Sequence, residues 1–157
     1  MAKFFYATLA ILILSARAVE AATPQLGYQA EFEVTQSGVS EKAYSKLEVI
    51  DNSMSRESLV VKSSKVTLDK TTVAQVEMSD FDVVNQDVVT DCPEEGGLIE
   101  TITVPAGTFL TCKTVRSENG GKLEIWEGRV PFNSIKTVRT MADGKTETQL
   151  LMGYGER

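Results

Sequence analysis

Residues 98–116 read LIETITVPAGTFLTCKTVR, and this stretch decides the fold class. Leu98–Val104 and Thr108–Arg116 are rich in threonine with valine and isoleucine, β-branched residues that suit a pleated, half-buried surface. Between them, Val104-Pro105-Ala106-Gly107-Thr108 puts proline at the second position of a type I turn and leaves Gly107 free to take a left-handed bulge conformation. The flanks therefore predict two antiparallel strands joined by a hairpin.

The same period of two extends in both directions. Tyr28, Ala30, Phe32 and Val34 alternate with Gln29, Glu31, Glu33 and Thr35, the pattern of a half-buried strand. Further runs predict strands at Lys46–Ile50, Leu59–Lys62, Lys65–Asp69, Thr72–Met78, Asp82–Val84 and Asp87–Val89. Others follow at Lys122–Trp126, Ile135–Met141 and Thr146–Met152. Ser37-Gly38, Asp51-Asn52, Gly96-Gly97, Asn119-Gly120-Gly121 and Asp143-Gly144 punctuate them. Asp143-Gly144 marks a hairpin between the last two runs. Ser40–Leu47 could instead form a short helical turn capped by Ser40, although a strand fits it equally well. About ten strands with short connections and no covering helix predict an all-β antiparallel meander. Such a sheet buries its apolar side by curving into a half-barrel or barrel, with a two-sheet sandwich as the alternative.

Composition narrows the function. The 157 residues include 16 basic and 22 acidic side chains, a net charge of −6, and no histidine. Without histidine there is no Ser-His-Asp or Cys-His hydrolase site and no H-E-x-x-H zinc site. An acidic chain lacks the basic stripe that a nucleic-acid partner requires.

Residues 1–21 read as a secretory signal peptide. Lys3 supplies the positive start, Phe4–Leu14 is an apolar run broken by Thr8, and small residues follow. Cleavage fits after Ala21, and after Ala18 as well. The run is short of the ~20 residues that a spanning helix needs, which weighs against an uncleaved anchor. No cysteine lies near the cleavage site to accept a lipid. Residues 22–157 then form a single domain with 14 basic and 21 acidic groups, a net charge of −7. Its cysteines, Cys92 and Cys112, are an even pair in an exported chain and predict a disulfide. Closing that loop would stabilise the fold by ~3 kcal/mol.

Reactive constellations are scarce. Gly144-Lys145-Thr146 mimics the end of a phosphate-binding loop, but Arg139 stands where the first glycine is needed, and a hairpin explains the residues better. Ser-x-x-Lys and G-x-S-x-G do not occur. Asp80, Asp82, Asp87, Asp91, Glu94 and Glu95 form an acidic cluster. Calcium binding is conceivable there, against the simpler reading of a solvated strand edge, because the full D-x-D-x-D-G loop is missing. An acid/base pair for glycoside hydrolysis would draw on the same carboxylates, with few aromatics nearby to stack a sugar. The sequence thus names no catalytic residue, no metal ligand and no cofactor. The candidate ligand or partner contacts are Trp126, Phe109 and Phe132. For Trp126 the alternative is an aromatic packed over a neighbouring hairpin.

Thr103-Val104-Pro105-Ala106-Gly107-Thr108-Phe109, Trp126, Val130-Pro131-Phe132 and Leu150-Leu151-Met152-Gly153-Tyr154-Gly155 form an ordered set over roughly the last 55 residues. The set resembles uncharacterised exported bacterial β-rich proteins with a V-P-A-G-T-F hairpin and a later W…V-P. Those are similar in turn to periplasmic lipoprotein-carrier and lipocalin-like half-barrels. The chain departs from that pattern after Phe132, with Asn133-Ser134 in place of Gly-Gly. The resemblance implies an architecture and a periplasmic or secreted location, and it carries over no catalytic residue. The expected function is a non-enzymatic scaffold that binds a hydrophobic ligand, lipid or lipoprotein. The alternative is an envelope protein-interaction or structural module with a filled core.

Overall fold

Alternating apolar residues place the nine strands of the described residues in one antiparallel sheet. A computed structural model describes residues 26–51, 58–66, 70–79 and 87–155. The strands are β1 (Gln29–Gln36), β2 (Ala43–Asp51), β3 (Ser58–Val66), β4 (Thr71–Ser79), β5 (Leu98–Val104), β6 (Gly107–Glu118), β7 (Gly121–Glu127), β8 (Ser134–Thr140) and β9 (Thr146–Gly155). No helix occurs among the described residues. The signal-peptide reading of residues 1–21 lies outside them, as do Asp80, Asp82 and the strand expected at Asp82–Val84.

The strand order is β4-β3-β2-β1-β9-β8-β7-β6-β5. Two meanders, β1–β4 and β5–β9, are therefore joined where the first strand pairs with the last, Phe32 opposite Leu151. The sheet is not closed into a barrel, and the described strands form no second sheet. β4 and β5, successive among the described strands, occupy opposite edges.

Local chemistry sets the turns. Val104 pairs with Gly107 across Pro105-Ala106, so the loop is two residues long and Gly107, at φ +141°, already belongs to β6. No register shift follows it, unlike the bulge expected from the sequence. Asn119 and Gly120, at φ 50° and 76°, link β6 to β7 as the two-residue type I′ turn that matches strand twist. At the last hairpin Gly144 N–H donates to Met141 O at 2.9 Å and Met141 N–H to Lys145 O at 2.8 Å. Asp143 Oδ1 also accepts the Lys145 N–H at 3.0 Å. These bonds are the structural reason for Asp143-Gly144-Lys145.

Three further expectations change. Leu59–Lys62 and the start of Lys65–Asp69 are one strand, since β3 runs unbroken through Ser63 and Ser64, which pair with Leu47 and Lys46, while residues 67–69 lie outside the described residues. The helical alternative at Ser40–Leu47 gives way to β2, which starts at Ala43. Asp87–Val89 is a turn. Val88 and Val89 are both buried there, and two adjacent residues cannot share one face of a strand.

The core joins the two meanders. Ala30 and Phe32 of β1, Val49 of β2, Val61 of β3, Ile135 of β8 and Leu151 of β9 pack with Val104, Val130 and Phe132. Each large apolar side chain buried this way contributes about 1.5–3 kcal/mol relative to exposure. Curvature comes with it. Although β8 and β7 lie between β9 and the β5–β6 hairpin, Ala106 N–H at the hairpin tip donates to Leu151 O at 3.2 Å. Phe109 and Tyr154 also approach, with ring centroids 6.0 Å apart. Register shifts at Glu31/Phe32, Val49/Asp51 and Trp126/Glu127 mark irregularities of the kind that bend and twist a strand. The result is a curved, open half-barrel.

Candidate interaction surfaces

Trp126 is set by its strand neighbours. It pairs with Lys113 on β6 and Lys136 on β8, and each ammonium stands 4.5 Å from the ring centroid. The indole N–H donates to the Glu100 carboxylate on β5. Trp126 is only 6% exposed while Leu123, on the other face of β7, is 3% exposed. The sheet is thus covered on both sides here, which satisfies the indole and keeps it from solvent. Lys113 Nζ reaches Glu124 at 3.0 Å and Lys122 Nζ reaches it at 3.2 Å. The Lys113 hydrogen bond leads in holding the Glu124 carboxyl below the ordinary glutamate value.

Trp126 is the sole tryptophan, so its fluorescence reports this cluster. Native emission should be blue-shifted and resist acrylamide quenching. Glu100→Ala would strand the indole N–H and should lower stability by about 1–3 kcal/mol. Urea unfolding followed at Trp126 reads both, and quenching as strong as in the unfolded chain would contradict this burial.

The three candidate aromatics do not converge on one exposed surface. Phe132 is 6% exposed and belongs to the core, and Phe109 packs against the core. Phe132 and Asn133 adopt φ of 62° and 54°, left-handed values that a bulky side chain disfavours. Gly128 N–H donating to Asn133 O at 2.8 Å and Asn133 N–H donating to Val130 O at 2.9 Å hold this loop closed. The departure from Gly-Gly at Asn133-Ser134 was the sequence signal beside this strained corner.

Cys92 and Cys112 stand at disulfide distance, with their Cα atoms 5.4 Å apart. They tie the 87–97 turn segment to β6. Gly97 fits beside them because a Cβ there would lie 2.5 Å and 2.6 Å from the two sulfurs. Asp91, Glu94 and Glu95 are exposed on this segment. No group of three metal-ligating side chains occurs among the described residues.

Glu127 lies opposite Cys112 on β7. Burial pushes its carboxyl above the ordinary glutamate value, and the nearby Glu95 carboxylate adds to the push while Arg116 opposes it. At neutral pH the folded state therefore carries a disfavoured charge, and Glu127→Gln should raise stability. As pH falls through the raised folded-state value, the wild-type carboxyl takes up its proton and the advantage shrinks. Below the ordinary value of 4.5 both folded and unfolded chains are protonated and the advantage is gone. Urea midpoints of the two proteins across this range measure it, and a constant difference would contradict it.

A recess of about 420 Å³ opens on β1–β3, lined by Phe32, Tyr44, Val66 and Met152 with Glu31 and Lys46 among its polar members. Lys46 Nζ lies 3.6 Å from Glu48 and 3.9 Å from Glu31. This is an open groove rather than an enclosed cavity. Sequence reasoning did not single it out, because Tyr44, Val66 and Met152 come from three strands with no shared motif.

The fold defines the class as an open, single-sheet antiparallel half-barrel. Within that class the chain is similar to a Bacteroides fragilis protein described as exported and having a YmcC-like fold. That likeness has a TM-score of 0.57 and 11% identity, covering 84% of this chain and 97% of the other. MucB in complex with MucA(peri) aligns at a TM-score of 0.45 and 11% identity over 84% of this chain, and MucB alone at 0.44 and 14% over 86%. The chain spans about half the length of those MucB chains, 50% and 55%. No family model and no curated protein sequence matches the chain. No helix among the described residues is long and apolar enough to cross a membrane.

Proposed function

We propose that this protein is a non-catalytic binding scaffold of the bacterial envelope, periplasmic or secreted, whose partner is another envelope protein. One observation carries the reading: the described core side chains of the half-barrel pack against one another. Phe32, Val49, Val61, Ile135 and Leu151 are each 1% exposed or less, so no enclosed ligand volume is left among them. The exported description of the protein with the YmcC-like fold supports the location. The open groove at Tyr44, Val66 and Met152 favours a second reading, in which a single apolar chain of a lipid lies across β1–β3.

Native mass spectrometry of the exported protein, with lipid extraction, separates the two. A mass matching the bare polypeptide supports the protein-binding scaffold. A stoichiometric lipid lost on Tyr44→Glu would overturn it in favour of the groove.

A further inference from the structure

We propose that the free edge of β5 receives an added strand from an extended, basic segment of a partner protein. The inference rests on the protein-binding reading above and names its surface. Among the described residues β5 ends the sheet and pairs with β6 alone. Val104 and Gly107 close a two-residue loop, so they exchange both backbone hydrogen bonds. Counting back by twos, Ile102, Glu100 and Leu98 turn their backbone groups toward β6. Ile99, Thr101 and Thr103 turn theirs outward, as a template for a further strand.

Natural edges are usually blunted by lysine, proline, a bulge or a cover. LIETITV contains no basic residue and no proline, and its pairing with β6 shows no register shift. Its far end is docked, since Val104 is buried and Ala106 bonds to β9. Beside the cysteine pair, its near end still exposes apolar side chains on both faces of the sheet. Leu98 is 62% exposed beside Val115 at 54%, and on the opposite face Ile99 is 42% exposed beside Leu110 at 55%. A partner strand can therefore cover apolar surface with residues of either parity.

Charge selects the partner. The turn carrying Asp91, Glu94 and Glu95 leads into β5 and is pinned to β6 by the cysteine pair. These three carboxylates make no ion pair with the described residues. A second copy pairing through β5 would bring no basic residue from LIETITV or from Pro105-Ala106 to answer them. A foreign segment with lysine or arginine beside its apolar run does.

The test uses the full exported chain, isotopically labelled, and a short valine–threonine peptide led by two lysines. Binding should slow amide exchange at Ile99, Thr101 and Thr103. Thr101→Pro removes an outward N–H that β6 does not use, and should weaken binding at least tenfold. Ile99→Lys installs an edge-blunting charge without touching the backbone, and should do the same if the proline variant fails to fold. A glutamate-led peptide should bind at least tenfold more weakly than the lysine-led one.

Three results would overturn the proposal. They are peptide protection centred on Tyr44 and Val66, equal affinity for the two peptides, or the same β5 amides protected by dimerisation without peptide. A lipid-free mass with binding elsewhere sinks only the edge. A stoichiometric lipid sinks the protein-binding reading itself.

Discussion

Phe32→Ala is expected to lower the unfolding free energy by about 3–5 kcal/mol, through the lost apolar transfer and the cavity left behind. Phe32 is 1% exposed and sits where the two meanders meet, opposite Leu151 on β9 and Ser45 on β2. Its neighbours cannot collapse easily. The register shifts beside it, and Ala30, Ile135 and Leu151 are already fully buried. Against a typical total of about 5–15 kcal/mol, that loss leaves the domain marginal or unfolded. Urea denaturation followed at Trp126 measures it directly, because the indole lies in the other meander and reports whether both halves unfold together. Val73→Ala at an exposed position of β4 is the control and should change stability by no more than about 0.5 kcal/mol. Equal, small effects at the two positions would mean that the seam is not the core of the fold.

The second large effect is expected at Cys92 and Cys112. Their sequence separation is 20, and cross-linking such a loop removes unfolded-chain entropy equivalent to about 3 kcal/mol. Replacing both by alanine should lower stability by that order, and a strong reductant should lower wild-type stability comparably. The double variant should be insensitive to reductant. Mass spectrometry after alkylation of the non-reduced protein should find no reactive thiol. Gly97→Ala probes the same place without touching sulfur. Its methyl group would press on both sulfurs, so the turn must shift and stability must fall. A reductant-insensitive wild type would refute the bridge.

Much of β5–β9 was readable from local chemistry. Pro105, Asn119-Gly120 and Asp143-Gly144 each specify a turn within a few residues, so the hairpins needed no distant information. The first meander was less legible. Ser63-Ser64 looked like a break between two strands, yet a ladder tolerates serine where neighbouring strands supply the pairing on both sides. Asp87–Val89 looked like a strand because valine favours sheets, but both valines are buried within the turn of the cysteine-pinned segment. For the candidate site, residue type pointed to Trp126. Its role as a covered indole between two lysines and Glu100 depended on which residues β5, β6 and β8 placed beside it.

The amino-acid sequence by itself determined that this is an all-β chain with no histidine-based chemistry, because alternation, turn residues and composition act locally or by simple count. Only the tertiary structure decided that β1 pairs with β9, that β4 and β5 become the two edges of the described sheet, and that Phe32, Val49, Val61, Ile135 and Leu151 close against one another in the core. Strand order depends on pairings between residues far apart in the chain, and no local propensity encodes which backbone edge is left without a partner.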